Sequence, residues 1–344
     1  MVSIVAETTR FSWLTRRTER SRIADLENRL SIVQENLADT QRKLASEQQA
    51  LAAAPADHHA SQFVLDEISE LRQLVRLLLA ESEAFKAHST QTKSSFDYQW
   101  GALPEGMNLL SDTAFRAKSV SMICALTGRS AEWFRDRKVL DAGCGNGRWS
   151  HALCSLGATV TAVDASPAGL ARVSKDCEEF PSFSCQPHNL LDPLPFGAVF
   201  DLVWCFGVVH HTGDTRRALS NVADAVSPGG YLFAMIYGEP RPDHPEDFTE
   251  ITTYVDTRRA MAGLSFDERV TYIRNRFGEE NLNGWFDALS PQINDLHRFD
   301  EIVGWLTEWG FEDITRTLES RNHHFVARRP DSSSNAARGG PPLR

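Results

Sequence analysis

The sequence predicts an α/β protein with a mostly parallel sheet wrapped by helices, and three observations carry that expectation. The run Val-Leu-Asp-Ala-Gly-Cys-Gly-Asn-Gly-Arg-Trp-Ser over 139–150 joins a short apolar strand to a helical pattern through Gly143, Gly145 and Gly147. Glycine at such a turn lets backbone approach a ligand closely, because no Cβ stands in the way. A second apolar run over 159–164 ends in Asp164, 23 residues after Asp141 (164 − 141). Strand and helix patterns then alternate, which is the signature of a parallel sheet with crossover helices.

The elements follow in order. A first core helix is expected over 112–127. Strand 139–142 and helix 147–156 flank the glycine turn; strand 159–163, helix 167–178 and strand 183–187 come next. Strand 200–206, helix 214–226 and strand 229–237 complete the alternating part. Residues 239–300 are rich in Pro, Asp, Arg and aromatics, with one or two helices expected, notably 266–276. A helix over 299–309 places Ile302, Trp305, Leu306 and Trp309 on one face, and Gly310 suits its C-terminal cap. Strands 311–319 and 322–328 close the sheet as an antiparallel pair.

Two ligands suit a glycine turn followed by an acidic strand end. One is a dinucleotide and the other is S-adenosylmethionine. A pyrophosphate usually takes Gly-x-Gly-x-x-Gly, whereas the spacing here is Gly-x-Gly-x-Gly. Asp141 stands directly before the turn, where its charge opposes a pyrophosphate and suits the amino or sulfonium end of S-adenosylmethionine.

Four segments now carry a resemblance: 139–150, Val163-Asp164-Ala165-Ser166, the run Phe-Asp-Leu-Val-Trp-Cys-Phe-Gly-Val-Val-His-His over 200–211, and Ser-Pro-Gly-Gly-Tyr-Leu-Phe over 227–233. In order and interval they resemble the motifs of class I S-adenosylmethionine-dependent methyltransferases, over about 136–237. The layout around 287–310 is similar to methyltransferases of polysaccharide and secondary-metabolite pathways. The resemblance implies a Rossmann-like sheet of seven mostly parallel strands, the last antiparallel, and S-adenosylmethionine as cofactor.

It also implies site residues. Asp141, Gly143, Cys144, Gly145 and Asn146 would line the methionine end; Asp164 would grip the ribose and Ala165 would lie under the adenine. Where the family presents an acidic residue to the adenine amino group this chain has His188-Asn189-Leu190. Asn189 is expected to accept that bond and Leu190 to supply an amide N–H. Phe206 and Gly207 would meet the cofactor's amino-acid part. His210 and His211, just beyond the fourth strand, are candidate general bases for a hydroxyl acceptor. His211 is preferred, because His210 continues the turn and points inward. Tyr237 and His297 are further candidates, weighed against structural roles. No metal site is expected: Asp243, His244, Glu246 and Asp247 are close in sequence but not on one face.

The rest of the chain bounds the function. At 344 residues with net charge −10, it has room for one α/β domain plus appendages and no surface suited to nucleic acid. Six cysteines without a Cys-x-x-Cys pair fit a reduced, cytoplasmic setting, and no run is apolar enough for a membrane span. Residues 1–22 form a short N-terminal segment. Over 23–87, Ile23, Leu26, Leu30, Val33, Leu37, Leu44 and Leu51 make a heptad stripe, and Val64, Ile68, Leu71, Val75 and Leu78 resume it after a break at 54–60. A helical hairpin and an intermolecular coiled coil both fit, with homo-oligomerisation preferred. Residues 88–111 read as a linker with an aromatic segment, Phe96-Asp-Tyr-Gln-Trp100, that is either a packing clamp or a cofactor lid. The methyltransferase region spans 112–329, its insertion 239–300 covers the substrate, and 330–344 has a disordered composition. The expected reaction is O-methylation of a sugar, polysaccharide or related metabolite. The alternatives are a small aromatic, quinone or lipid-like acceptor, and a non-catalytic cofactor-binding scaffold.

Overall fold

The computed structural model describes residues 83–103 and 109–331. The heptad stripes over 23–78, the N-terminal segment and the tail after 331 lie outside the described residues.

The core is one seven-stranded sheet with strand order β3-β2-β1-β4-β5-β7-β6. Its strands are β1 Lys138–Ala142, β2 Thr159–Asp164, β3 Phe183–Pro187, β4 Phe200–Phe206, β5 Val226–Ile236, β6 Glu312–Leu318 and β7 His323–Arg328. Strands β1 to β5 pair in parallel, and β7 runs antiparallel to both β5 and β6. The β1, β2 and β4 runs are short and apolar because both sheet faces are covered: Val139, Leu140, Val160, Val163, Leu202 and Val203 are all buried. Order reverses between β1 and β4, which opens a crevice at the carboxyl ends of the strands.

Helices α1 Glu83–Gly101, α2 Thr113–Thr127, α3 Arg148–Ser155, α4 Pro167–Asp176 and α5 Thr215–Ala223 precede the insertion. Local chemistry sets their starts. Asp112 caps α2 by accepting from the Ala114 and Phe115 amides, and Ser166 caps α4 by accepting from Gly169 N, with Pro167 in the first turn. Helix α9, Phe299–Glu308, ends with Gly310 at φ 81°, where Phe311 N reaches Leu306 O at 2.9 Å, so the expected glycine cap is present.

Two regions differ from the sequence reading. Residues 88–101, read as part of a linker, lie inside α1. Their polarity is used in burial: Thr92, Ser95 and Gln99 are sealed from solvent. Thr92 Oγ1 accepts from Ile293 N at 3.0 Å, Ser95 Oγ donates to Ser290 Oγ at 2.8 Å, and Gln91 Nε2 donates to Ser290 O at 3.0 Å. The insertion holds three helices rather than one or two: α6 Pro245–Ala260, α7 Phe266–Phe277 and α8 Leu282–Leu289. They share a separate core of Met261, Ile273, Leu282, Phe286 and Leu289, which Leu103, just after α1, helps to fill. Ser265 and Glu268 form a reciprocal capping box at the start of α7. No helix among the described residues is long and apolar enough to cross a membrane.

Candidate functional site

The glycine turn after β1 is held in one conformation. Gly143, Gly145 and Gly147 have φ of 82°, 51° and 86°, and the Gly143 and Cys144 amides donate to Val163 O at 2.8 and 3.1 Å. A Cβ on Gly143 would stand 2.4 Å from Val208, and one on Gly145 would stand 2.9 Å from the Trp100 ring. Glycine is required there by both backbone sign and space. Trp100 of α1 therefore lies on the turn as a wall, and Asp97, one helical turn earlier, accepts from Ser166 Oγ at 2.8 Å and Ala168 N at 3.0 Å.

Asp164, at the end of β2, is fixed by backbone donors. Its Oδ2 accepts from Gly145 N at 2.8 Å and its Oδ1 from Ser166 N at 2.7 Å. With these amides engaged the carboxylate still has acceptor capacity for a further donor. Burial lifts the Asp164 pKa above the usual carboxylate range, opposed by the amides of Ser166, Gly145 and Ala165.

These groups border a cavity of about 630 Å³ at the carboxyl ends of β1, β2 and β4, within the size range of ligand pockets. Of the cofactor-binding candidates, Gly143, Cys144, Gly145, Asn146, Asp164 and Ala165 line it. Asn189, Leu190, Phe206 and Gly207 do so as well. Asn189 Oδ1 accepts from Leu191 N at 3.2 Å, which leaves a second lone pair on Oδ1 and the amide N–H₂. Asp141 is placed differently from its expected position at the methionine end. It is 1% exposed, outside the cavity wall, with Oδ2 accepting from Ser150 Oγ at 2.6 Å and Oδ1 unpartnered. Burial pushes its carboxyl up to about 7.

The four catalytic candidates separate. His211 lines the cavity; His210, Tyr237 and His297 do not. His210 is fully buried, stacked on Tyr237 at 3.8 Å, with neither ring nitrogen partnered. Tyr237 points its hydroxyl to Asp287 Oδ2 at 3.1 Å. His297 is 1% exposed, with Nδ1 at 3.0 Å from Glu301 Oε2. Each is engaged with a neighbour that holds it away from the cavity.

His211 is held by Ile293. Its Nδ1 lies 2.8 Å from Ile293 O, and a carbonyl only accepts, so Nδ1 carries the proton. Nε2 is then the lone-pair nitrogen; it is buried and has no partner among the described residues. Burial lowers the His211 pKa to about 4, partly countered by the Ile293 bond, so the ring is neutral near pH 7. Phe96 meets it edge-on at 4.9 Å.

Sequence reading missed Asp287. It lies on α8, lines the cavity, and is pushed up to about 6 by burial, with Tyr237 and Gln99 favouring the charged form. Its i−4 neighbour Asn283 lines the same wall and receives Gln99 Nε2 at 3.2 Å. The one sequence signal was an acidic residue at helical spacing from a polar one in the insertion. Among the described residues no three of His, Cys, Asp or Glu are grouped to hold a metal; Asp247 instead pairs with Arg241 at 2.8 Å.

Residues 140–234 match the profile of a family described as a methyltransferase domain. An uncharacterised protein of Synechococcus sp. is 36% identical over 118 residues, 33% of this chain and 28% of that protein. The mitochondrial ubiquinone biosynthesis O-methyltransferase of Schizosaccharomyces pombe is 34% identical over 107 residues, 30% of this chain and 39% of that enzyme. The chain thus spans well under half the length of these two curated relatives. A solved O-methyltransferase family protein from Burkholderia thailandensis superposes with a TM-score of 0.46 at 17% identity, covering 70% of this chain and 64% of that one.

Proposed function

We propose that this chain, whose residues 140–234 match a methyltransferase domain, is a class I S-adenosylmethionine-dependent methyltransferase that methylates a hydroxyl of a small polar acceptor with His211 as general base. The single observation that carries the reading is the His211 ring, a residue of the cavity wall, with Nδ1–H fixed on Ile293 O and Nε2 buried without a partner among the described residues.

The residues fit the cofactor. The glycine turn leaves a cradle that a Cβ at Gly145 would obstruct against Trp100. Asp164 has acceptor capacity left for a ribose hydroxyl, and Asn189 and Leu190 would border the adenine end. When bound, S-adenosylmethionine supplies a methyl group on a sulfonium, transferred in line to the acceptor oxygen. Trp100 and Phe96 keep water from the reacting oxygen, and His211 Nε2 removes the hydroxyl proton as the bond forms.

The acceptor end favours a donor-rich ligand. His211 Nε2 and the Asp287 carboxylate both accept hydrogen bonds, and both lie around the Tyr237 ring. A sugar or polyol satisfies both with two hydroxyls. A second reading, an aromatic or quinol acceptor, is favoured by the Phe96 edge against His211. It also accords with the name of the Schizosaccharomyces relative.

The test is methyl transfer from labelled cofactor to methyl glycosides, glycan fragments and phenols. Label recovered as a methyl ether of a glycoside supports the reading; label on a phenol alone selects the second. Label on nitrogen or carbon refutes both.

A further inference from the structure

The carbonyl that holds His211 belongs to no helix or strand. His211 Nδ1 lies 2.8 Å from Ile293 O, and Ile293 is one of residues 290–296, which run between α8 and α9 without regular structure. A carbonyl on such a connection stays in place only as well as the other groups of its segment are bonded.

Those bonds come from α1. Thr92 Oγ1 accepts from Ile293 N at 3.0 Å and from Gln292 N at 3.1 Å. Gln91 Oε1 takes a second bond from Gln292 N at 2.9 Å, and its Nε2 donates to Ser290 O at 3.0 Å. Ser95 Oγ donates to Ser290 Oγ at 2.8 Å. Further along, Asp295 N donates to His210 O at 2.8 Å, so the segment is held on both sides of Ile293.

Thr92 is the tie nearest the base. It is 3% exposed, and it binds the amide of the same residue whose carbonyl meets His211. Thr90, on the same helix, gives its hydroxyl to Lys86 O at 2.9 Å, the ordinary bond of a helical threonine to its own backbone. Thr92 Oγ1 instead accepts two amides from a segment 200 and 201 residues away. Phe96, one turn further along α1, meets the His211 ring edge-on at 4.9 Å. One helix thus grips the ring twice, directly by Phe96 and through the Ile293 peptide by Thr92.

What this grip controls is the tautomer. A neutral imidazole carries one N–H, and the acceptor beside the ring decides which nitrogen keeps it. With Ile293 O against Nδ1 the proton stays there and Nε2 has the lone pair. Once that carbonyl is free to move, the proton can sit on Nε2, which then accepts nothing.

We propose that Thr92 is a positioning residue for His211: by holding the Ile293 peptide it fixes the tautomer in which Nε2 is the basic nitrogen. The consequence for catalysis rests on the reading of His211 as general base, whereas the tautomer is measurable without it.

Thr92→Val removes the oxygen and keeps the branched shape. Long-range proton–nitrogen NMR spectra of the full chain, labelled with nitrogen-15 at histidine, read which His211 nitrogen is protonated; its signals are those that vanish in His211→Asn. Wild type is expected to carry the proton on Nδ1 alone, and Thr92→Val to show both tautomers. In the same variant kcat is expected to fall about tenfold, part of the roughly 100-fold or more that a general base supplies, with acceptor KM and cofactor affinity within about twofold. Thr92→Ser restores the oxygen and should return both spectrum and kcat to near wild type. In a His211→Asn background Thr92→Val should cost nothing more, because it acts through the ring.

An Nδ1–H spectrum that Thr92→Val leaves unaltered overturns the positioning role while the base reading stands. A rise in acceptor KM at wild-type kcat overturns it too, by making Thr92 a substrate contact. So does an equal kcat loss with and without His211, which marks a general structural role. Wild-type kcat in His211→Asn defeats the base reading instead, and the spectra then decide the tautomer claim alone. Should Thr92→Val fail to fold, hydrogen exchange on wild type reads the Ile293 amide: protection comparable to the amides of α1 is expected, and exchange at the rate of an unstructured chain overturns the proposal.

Discussion

Replacing His211 by Asn isolates its role as a base. The Asn amide N–H₂ overlays Nδ1 and keeps the donor to Ile293 O, now made at 2.8 Å, while removing the only nitrogen lone pair in the ring. General bases contribute about 10²- to 10⁴-fold. With a pKa near 4 the ring is almost fully neutral at pH 7 but a weak proton acceptor, which places its contribution at the lower end. A kcat loss of about 100-fold is expected, or roughly 2.7 kcal/mol in the barrier, with cofactor affinity unchanged. The same residue has a stability signature. Its pKa is about 4 folded against an unfolded 6.5, so the unfolded state takes up the proton first as pH falls. Its contribution is present above pH 6.5 and lost between 6.5 and 4, amounting to roughly 3 kcal/mol. Urea titrations of wild type and Asn variant over that window should converge by about that amount. Single-turnover transfer assays supply the rate. A kcat within threefold of wild type at unchanged stability refutes the base assignment.

Other expectations follow from the same geometry. Asp141 has the opposite pH sign: its pKa is raised to about 7, so its contribution is present below 3.8 and lost as pH rises to 7. Asp141→Asn should therefore flatten a loss of up to roughly 4 kcal/mol over that range in urea titrations; an unchanged slope contradicts its buried placement. Asp287→Asn is expected to raise KM for a polyhydroxylated acceptor about tenfold while leaving S-adenosylhomocysteine affinity unaltered in calorimetry, and weakened cofactor binding would assign it elsewhere. Gly145→Ala should weaken cofactor binding by at least tenfold, because the new Cβ meets the Trp100 ring at 2.9 Å; wild-type affinity would show that Trp100 yields freely. For the expected oligomer, removing residues 1–78 should lower the number of chains per particle in light scattering, and an unchanged number refutes association through that region.

The cofactor side of the cavity was legible in the sequence because its residues act through backbone. Glycine spacing and a strand-end carboxylate are local patterns, and Gly143, Gly145 and Asp164 lie where those patterns place them. The histidine pair was legible from its place just beyond the fourth strand. The preference for His211 over His210 rested on the turn alone; the structure adds Ile293 O, 82 residues away, which holds the His211 ring, while His210 stacks on Tyr237. Asp287 and the polar face of α1 were not legible. Thr92, Ser95 and Gln99 look like linker residues until their partners at 283–293 are in view, and no local periodicity encodes a hydrogen bond across about 200 residues. Charge logic located Asp141 beside the ligand; in the structure its Oδ2 accepts from Ser150 Oγ, and Oδ1 is buried without a partner among the described residues.

The central claim is that the cavity at the ends of β1, β2 and β4 holds an adenosyl methyl donor by Asp164. Titration of S-adenosylhomocysteine into wild type and Asp164→Ala tests it directly. The expected result is saturable binding by wild type and a loss of about 10- to 100-fold in the variant, the worth of charge-assisted bonds from two ribose hydroxyls. Equal affinity of the two proteins, or no binding by wild type at millimolar ligand, would contradict the account.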